Sequence, residues 1–169
     1  REILQRLRSI PGIKKVFVSS GIRPDLVIAD KEMGKRYIEQ LVRHHISGQI
    51  KLAPEHSEPE VLALMKKPAI KSLMQFKAIF DRACTESGKR YFMTYYLIAA
   101  HPGCTIKHMQ RLKNLLSSGL KATPEQVQIF TPTPATISTT MYYCETDMAG
   151  NKIFCEKSLS GMQKQKNLL

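Results

Sequence analysis

Thr94-Tyr95-Tyr96-Leu97-Ile98-Ala99-Ala100-His101-Pro102-Gly103-Cys104-Thr105 passes from an apolar run, through a turn of small residues, to a threonine placed to cap a helix. The run is nearly continuous and rich in aromatic and aliphatic residues. That suits a parallel strand covered on both faces. After Thr105, Ile106, Met109, Leu112 and Leu116 fall on one helical face, and Gly119 is placed to stop the helix. Strand, turn and capped helix together make half of a βα unit.

The same arrangement recurs along the chain. Lys15–Ser19, Ile50–Ala53 and Gln126–Phe130 are further short apolar segments, which makes four expected strands. Helical patterns separate them. Residues 1–9 group Ile3, Leu4 and Leu7. Residues 33–46 put Met33, Tyr37, Ile38, Leu41, Val42 and His45 on one stripe, with Gly48 after it. Ser57-Glu58-Pro59-Glu60 reads as a capping box opening a short helix over Val61–Met65. Residues 72–87 space Leu73, Phe76, Phe80 and Ala83 at helical intervals, ending before Gly88. Strand starts lie ~30–45 residues apart, the length of a strand with its crossover helix, and such crossovers imply a parallel sheet. Four strands do not close a barrel, which takes eight in its complete form. Two architectures stay open: a small open α/β sheet, or part of a larger barrel. The start at Arg1, with neither Met nor an apolar leader, leads us to expect a piece of something longer.

The chain has 169 residues, 43% hydrophobic and 24% charged, which is globular composition and excludes a disordered tail. Its 26 basic and 14 acidic side chains give a net charge of +12. Residues 1–60 carry 11 − 8 = +3 and residues 61–169 carry 15 − 6 = +9. A pI near 9.7 suits a phosphate-rich partner such as RNA or tRNA, and equally a solvated basic surface. No apolar run is long enough to span a bilayer. Cys84, Cys104, Cys144 and Cys155 form no Cys-x-x-Cys pair, so reduced thiols in a cytoplasmic protein are expected, with no metal ligands.

In either parallel architecture a ligand site lies at the carboxyl ends of the strands. The four ends lead to Ser19-Ser20-Gly21-Ile22-Arg23-Pro24-Asp25, to Ala53-Pro54-Glu55-His56-Ser57, to Ala99-Ala100-His101-Pro102-Gly103-Cys104, and to Thr131-Pro132-Thr133-Pro134. Arg23 offers a fork of donors for a carboxylate, or else pairs with Asp25. Glu55 can accept from ribose hydroxyls or bind an amine, or else helps cap the next helix. The small residues 99–103 let backbone approach a flat ring, or form a plain turn. This set suits a ligand with a carboxylate, an amine, a sugar and a purine. No Gly-rich phosphate loop, Ser–His–Asp order or paired metal carboxylates are present, which disfavours kinases and hydrolases.

Val16-Phe17-Val18-Ser19-Ser20-Gly21-Ile22-Arg23 with Asp25, Lys51-Leu52-Ala53-Pro54-Glu55-His56, Ala100-His101-Pro102-Gly103-Cys104-Thr105, and Phe130–Ala135 through Ser138-Thr139-Thr140-Met141-Tyr142-Tyr143 together resemble the YgiQ-type radical SAM proteins over nearly the whole chain. The pattern is also similar to the radical SAM methylthiotransferases. The resemblance implies part of a (β/α)₆ partial TIM barrel, with the four strands standing third to sixth. It implies S-adenosylmethionine and a [4Fe–4S] cluster as cofactors of the family, cleaved to a 5′-deoxyadenosyl radical that acts on an unknown substrate. The Cys-x3-Cys-x2-Cys loop that holds such a cluster is absent from this chain, so neither cofactor nor activity is expected of these residues alone.

Carried over by strand position, the resemblance gives the methionine part of the ligand to Ser20 and Arg23, and the ribose to Glu55. It gives the adenine to Ala100, His101 and Gly103, with backbone contacts from Gln128 to Pro132. His101 is also a candidate for substrate contact, whereas Cys104 is expected only to pack. Residues 1–145 are expected to form the partial barrel, and 146–169 a basic tail that begins a family helix. An open barrel edge makes self-association a further expectation. Two competing readings are a non-enzymatic basic α/β module for RNA or another anion, and a barrel-like enzyme with a phosphate ligand at the same rim.

Overall fold

The computed structural model describes residues 2–120, 122 and 124–169. Along the chain come α1 (Glu2–Ser9), α2 (Pro24–Ala29), α3 (Gly34–His44), β1 (Gln49–Glu55), α4 (Pro59–Leu64), α5 (Lys71–Glu86), β2 (Phe92–Ala99) and α6 (Ile106–Asn114). A π-helical segment (Leu115–Leu120) follows, then β3 (Gln126–Ile129), α7 (Ile137–Cys144) and α8 (Leu159–Lys166). The fold is α/β, with three parallel strands in the order β1-β2-β3 joined by helical crossovers. β2 and β3 pair in register from Tyr96–Gln126 to Ala99–Ile129.

The chain divides into two compact units, one formed by the described residues up to Ala53 with Lys71–Thr94, the other by Pro54–Ile70 with Tyr95–Leu169. In the first, α2, α3 and α5 pack on one another. Ile38, Leu41 and Val42 recur at the spacing that makes one helical stripe, and all three are fully buried. Phe76 and Phe80, one turn apart on α5, stack at 6.4 Å and fill the facing side of this core. Each buried side chain of that size contributes about 1.5–3 kcal/mol.

The strand expected at Lys15–Ser19 does not form, so the described residues hold three strands rather than four. Val18 N–H donates to His45 O (2.9 Å), and His45 Nδ1 lies 2.8 Å from Val16 O. The backbone groups that would have joined a ladder are therefore taken by the end of α3, and Phe17 between them stays 46% exposed. Pairing resumes only at Ile22, in a single parallel bridge to Leu52.

In the second unit, Tyr95, Leu97 and Ala99 of β2 alternate inward, and Met109, Leu112, Leu116, Met141 and Met162 complete the core. Thr105 caps α6 as expected: its hydroxyl accepts from His108 N–H, and His108 Nδ1 accepts from Thr105 N–H. Gly119 does not stop that helix, which continues as π-helix to Leu120. The box at Ser57 fails too, because Ser57 Oγ turns to Glu58 Oε1 while the Glu58 side chain reaches Arg111. Glu58 stands at the N-cap without a side-chain cap, and Pro59 opens the helix. α8 packs on β3 and α6, so residues 159–166 are part of this unit. Among the described residues no helix is long and apolar enough to cross a membrane.

Candidate functional site at the strand ends

The carboxyl ends of β1, β2 and β3 border a cleft of about 360 Å³ that lies wholly within the second unit. Glu55, Met65, Tyr96, His101, Gln128 and Phe130 are among the residues that line it, together with Thr131, Thr133, Thr136 and Ser138. Two of its edges are strained. Glu55, the last residue of β1, has φ of 65°, and Ala100, just past β2, has φ of 57°. Residues other than glycine hold the left-handed region at a cost of order 1–3 kcal/mol, and such positions cluster at ligand sites.

Glu55 is fixed by an ion pair with Lys67 (2.6 Å), both side chains being mostly shielded from solvent. His101 is 3% exposed. Its Nδ1 lies 2.9 Å from the Pro102 carbonyl, an acceptor only, so Nδ1 carries the proton. Nε2 then accepts from the Ser138 hydroxyl at 2.8 Å. The ring also stands edge-on to Phe130, at 5.2 Å between centroids. Burial lowers the His101 pKa against the opposing pull of the Pro102 carbonyl, so the imidazole is neutral near pH 7.

Of the expected site residues, the structure brings Glu55, His101 and Gln128 to this cleft. Ala100 is buried and does not line the cleft. Gly103 does not line the cleft; its N–H donates to Phe154 O (2.7 Å), and a Cβ on it would stand 2.2 Å from Leu64 Cδ1. Pro132 sits between two lining threonines without lining the cleft itself. Ser20 and Arg23 belong to the first unit, where Arg23 Nε donates to Asp25 Oδ1 (3.2 Å) in a surface ion pair.

Sequence reasoning missed Lys67, Tyr96, Ser138 and the threonines 133 and 136. Thr136-x-x-Thr139 is a readable cap signature: the Thr136 side chain accepts from Thr139 N–H at the start of α7. Nothing in the local pattern marks Lys67. A second cleft, of about 250 Å³, lies in the first unit between α3 and α5. It is bordered by Lys35, Glu39, Arg82 and Glu86, and no expected site residue lines it.

Among the described residues no three of His, Cys, Asp and Glu come together as metal ligands. Cys84 and Cys104 are buried, Cys155 half-buried and Cys144 exposed. The residues of this chain do not fit an iron–sulfur cluster.

A parallel α/β sheet with a polar cleft at its strand ends is the class that fold and site define. No family model matches the chain. It is 50% identical over 169 residues to a UPF0313 protein of Fusobacterium nucleatum, which covers 99% of this chain and 30% of that protein. It is 43% identical over 165 residues to a UPF0313 protein of Thermotoga maritima (97% of this chain, 29% of the relative). It is 42% identical over 168 residues to one of Clostridium perfringens (99% and 25%). The chain thus spans 25–30% of the length of these curated relatives. Among solved structures, the archaeal Methanocaldococcus infernus Elp3 aligns with a TM-score of 0.49 and 17% identity, covering 79% of this chain and 28% of that one.

Proposed function

We propose that this chain forms the strand-end cleft of a radical SAM enzyme, and that the cleft takes the nucleoside part of S-adenosylmethionine. One observation carries the reading: Glu55, His101 and Gln128, from the ends of three successive parallel strands, border a single cleft. Glu55 is the acceptor for ribose hydroxyls, held in place by Lys67. His101 is fixed and neutral, so it adds no charge opposite the sulfonium. Phe130 gives the aromatic wall for the purine, its own N–H being taken by Ala99 O. S-adenosylmethionine supplies radical chemistry to a bound substrate once it is cleaved reductively. On this reading the cluster that cleaves it is held by residues outside this chain, which here binds and orients the nucleoside and excludes water.

The test is a titration of the chain with 5′-deoxyadenosine, S-adenosylmethionine and inorganic phosphate, followed by amide NMR. The missing cluster loop leads us to expect no cofactor on these residues alone; the cleft revises this for the nucleoside part. Saturable shifts are expected with both nucleosides at millimolar concentration, confined to residues near 55, 98–101 and 128–138 and weakened by Glu55→Gln. No shift at millimolar nucleoside overturns the reading. So does equal response to phosphate, or salt-dependent binding of tRNA with no response to either nucleoside.

A further inference from the structure

Gln165 of α8 is fully buried, far in sequence from the cleft, and both ends of its amide are used. Its Oε1 accepts from Ala100 N–H at 3.0 Å, and its Nε2 donates to Cys104 O at 3.1 Å. Those two backbone groups bracket the loop that carries His101. The strand ladder ends just before it: Ala99 O accepts from Phe130 N–H (2.8 Å), and at Ala100 the chain turns left-handed, which takes its N–H out of the sheet. A buried backbone N–H without a partner costs about 1–3 kcal/mol. Here a side-chain amide from the end of the chain meets that need. The segment ahead of α8 holds the loop as well, through the Gly103 N–H to Phe154 O bond (2.7 Å). Inside the loop, Cys104 N–H closes a turn onto His101 O (2.8 Å).

We infer that Gln165 is a positioning residue for the cleft: by clamping Ala100 and Cys104 it sets where the His101 ring stands against Ser138 and Phe130. The α8 helix is therefore a working part of the ligand site. Among the described residues no strand pairs with 100–104, so at its two ends the loop is held by this clamp, with the Gly103–Phe154 bond between them. An apolar residue of similar length at position 165 would keep the packing and lose both hydrogen bonds. The loop would then relax from the left-handed turn, and the Nε2–Ser138 contact would loosen.

The experiment has two readouts that do not use a ligand and one that does. In the wild-type chain, hydrogen exchange of the Ala100 amide is expected to follow that of the α8 interior, Met162 included. An Ala100 amide that exchanges freely while α8 is protected overturns the proposal. In Gln165→Met, checked to be folded by circular dichroism, the ¹⁵N signals of the His101 ring are expected to shift toward those of an unconstrained imidazole. The His108 ring, held in the α6 cap, should keep its signals. Unchanged His101 signals overturn the proposal. Should Gln165→Met not fold, the wild-type exchange measurement alone decides. The third readout, 5′-deoxyadenosine affinity, rests on the reading of the cleft as a nucleoside site and should fall about tenfold in the variant. If the wild-type chain binds no nucleoside, that reading fails, while the exchange and ring signals still decide the role of Gln165. If the wild type binds and the folded variant binds equally well, Gln165 is not a positioning residue.

Discussion

His56 Nε2 and Cys104 Sγ stand 3.5 Å apart in the core of the second unit, and both groups are neutral. Glu58 N–H donates to His56 Nδ1 (3.1 Å), so the ring proton sits on Nε2 and points at sulfur. The thiol in turn faces Thr105 O. Burial, with the like charges of His108, His101 and Arg111 around it, pushes the His56 pKa down to about 3. Burial likewise pushes the Cys104 thiol up to about 12. A Cys–His contact of this kind is the opposite of an activated nucleophile, which needs a thiolate.

Thiol reactivity follows from that. In the native chain one fast thiol is expected, the exposed Cys144, and all four in guanidinium. Cys104 should react far more slowly than Cys144, because it is buried and burial keeps it in the thiol form. Titration with a chromogenic disulfide, with Cys144→Ser as control, checks this. A second fast thiol assigned to Cys104 would show the account of the pair to be wrong.

Acid should destabilise the second unit over a defined window. His56 and His101 are both held neutral, so their folded pKa values lie below the unfolded value of about 6.5. The unfolded chain then binds more protons as pH falls below that value. Stability is fully present above pH 6.5 and declines below it, by up to about 1.4 kcal/mol per pH unit for each residue. Urea unfolding between pH 7 and 4.5 measures the slope. His56→Asn, which keeps an acceptor for Glu58 N–H, should flatten it.

Gly103 combines a φ of +84° with a Cβ position 2.2 Å from Leu64 Cδ1. Gly103→Ala should cost about 1–3 kcal/mol, from the backbone strain and from the push on Leu64. Adding Leu64→Ala should recover the steric part and leave the strain, so the pair is non-additive in a double-mutant cycle.

In the first unit, Phe80 is 1% exposed and stacks on Phe76. Phe80→Ala should cost about 3–5 kcal/mol by denaturant unfolding, in line with other large-to-small core changes. It should leave the His101 ring signals unchanged wherever the chain stays folded, since that ring is held entirely within the second unit.

What could be read from the sequence was whatever is encoded locally. The stripe Ile38-Leu41-Val42, the Thr105 cap and the run 94–99 each depend on neighbours a few residues away, and all are found in the structure. Lys15–Ser19 has the same local signature as the other strands, yet its backbone partners are groups of His45. No periodicity predicts that competition. The short helices α2 and α7 lack a long apolar stripe; α7 buries only Met141. For the site, strand ends pointed to Glu55, His101 and Gln128 because parallel sheets put ligands there. Lys67 and Gln165 act on that rim from outside the strands, the second across more than sixty positions, and only the folded chain brings them in.

Glu55 is a poor choice for its own backbone. At φ of 65° a glycine would sit more comfortably, by about 1 kcal/mol, and the ion pair with Lys67 that it would forfeit is worth a similar amount. The two changes nearly cancel. In a mutational scan that scores abundance, glycine at position 55 should therefore look tolerated. If Glu55 receives the ribose hydroxyls as proposed, a scan scored for nucleoside capture should find that same glycine unfit, along with every residue that lacks a carboxylate. A gap between two such maps at one residue separates selection on what a side chain does from selection on how the chain folds, and here that gap should open at the last residue of a strand.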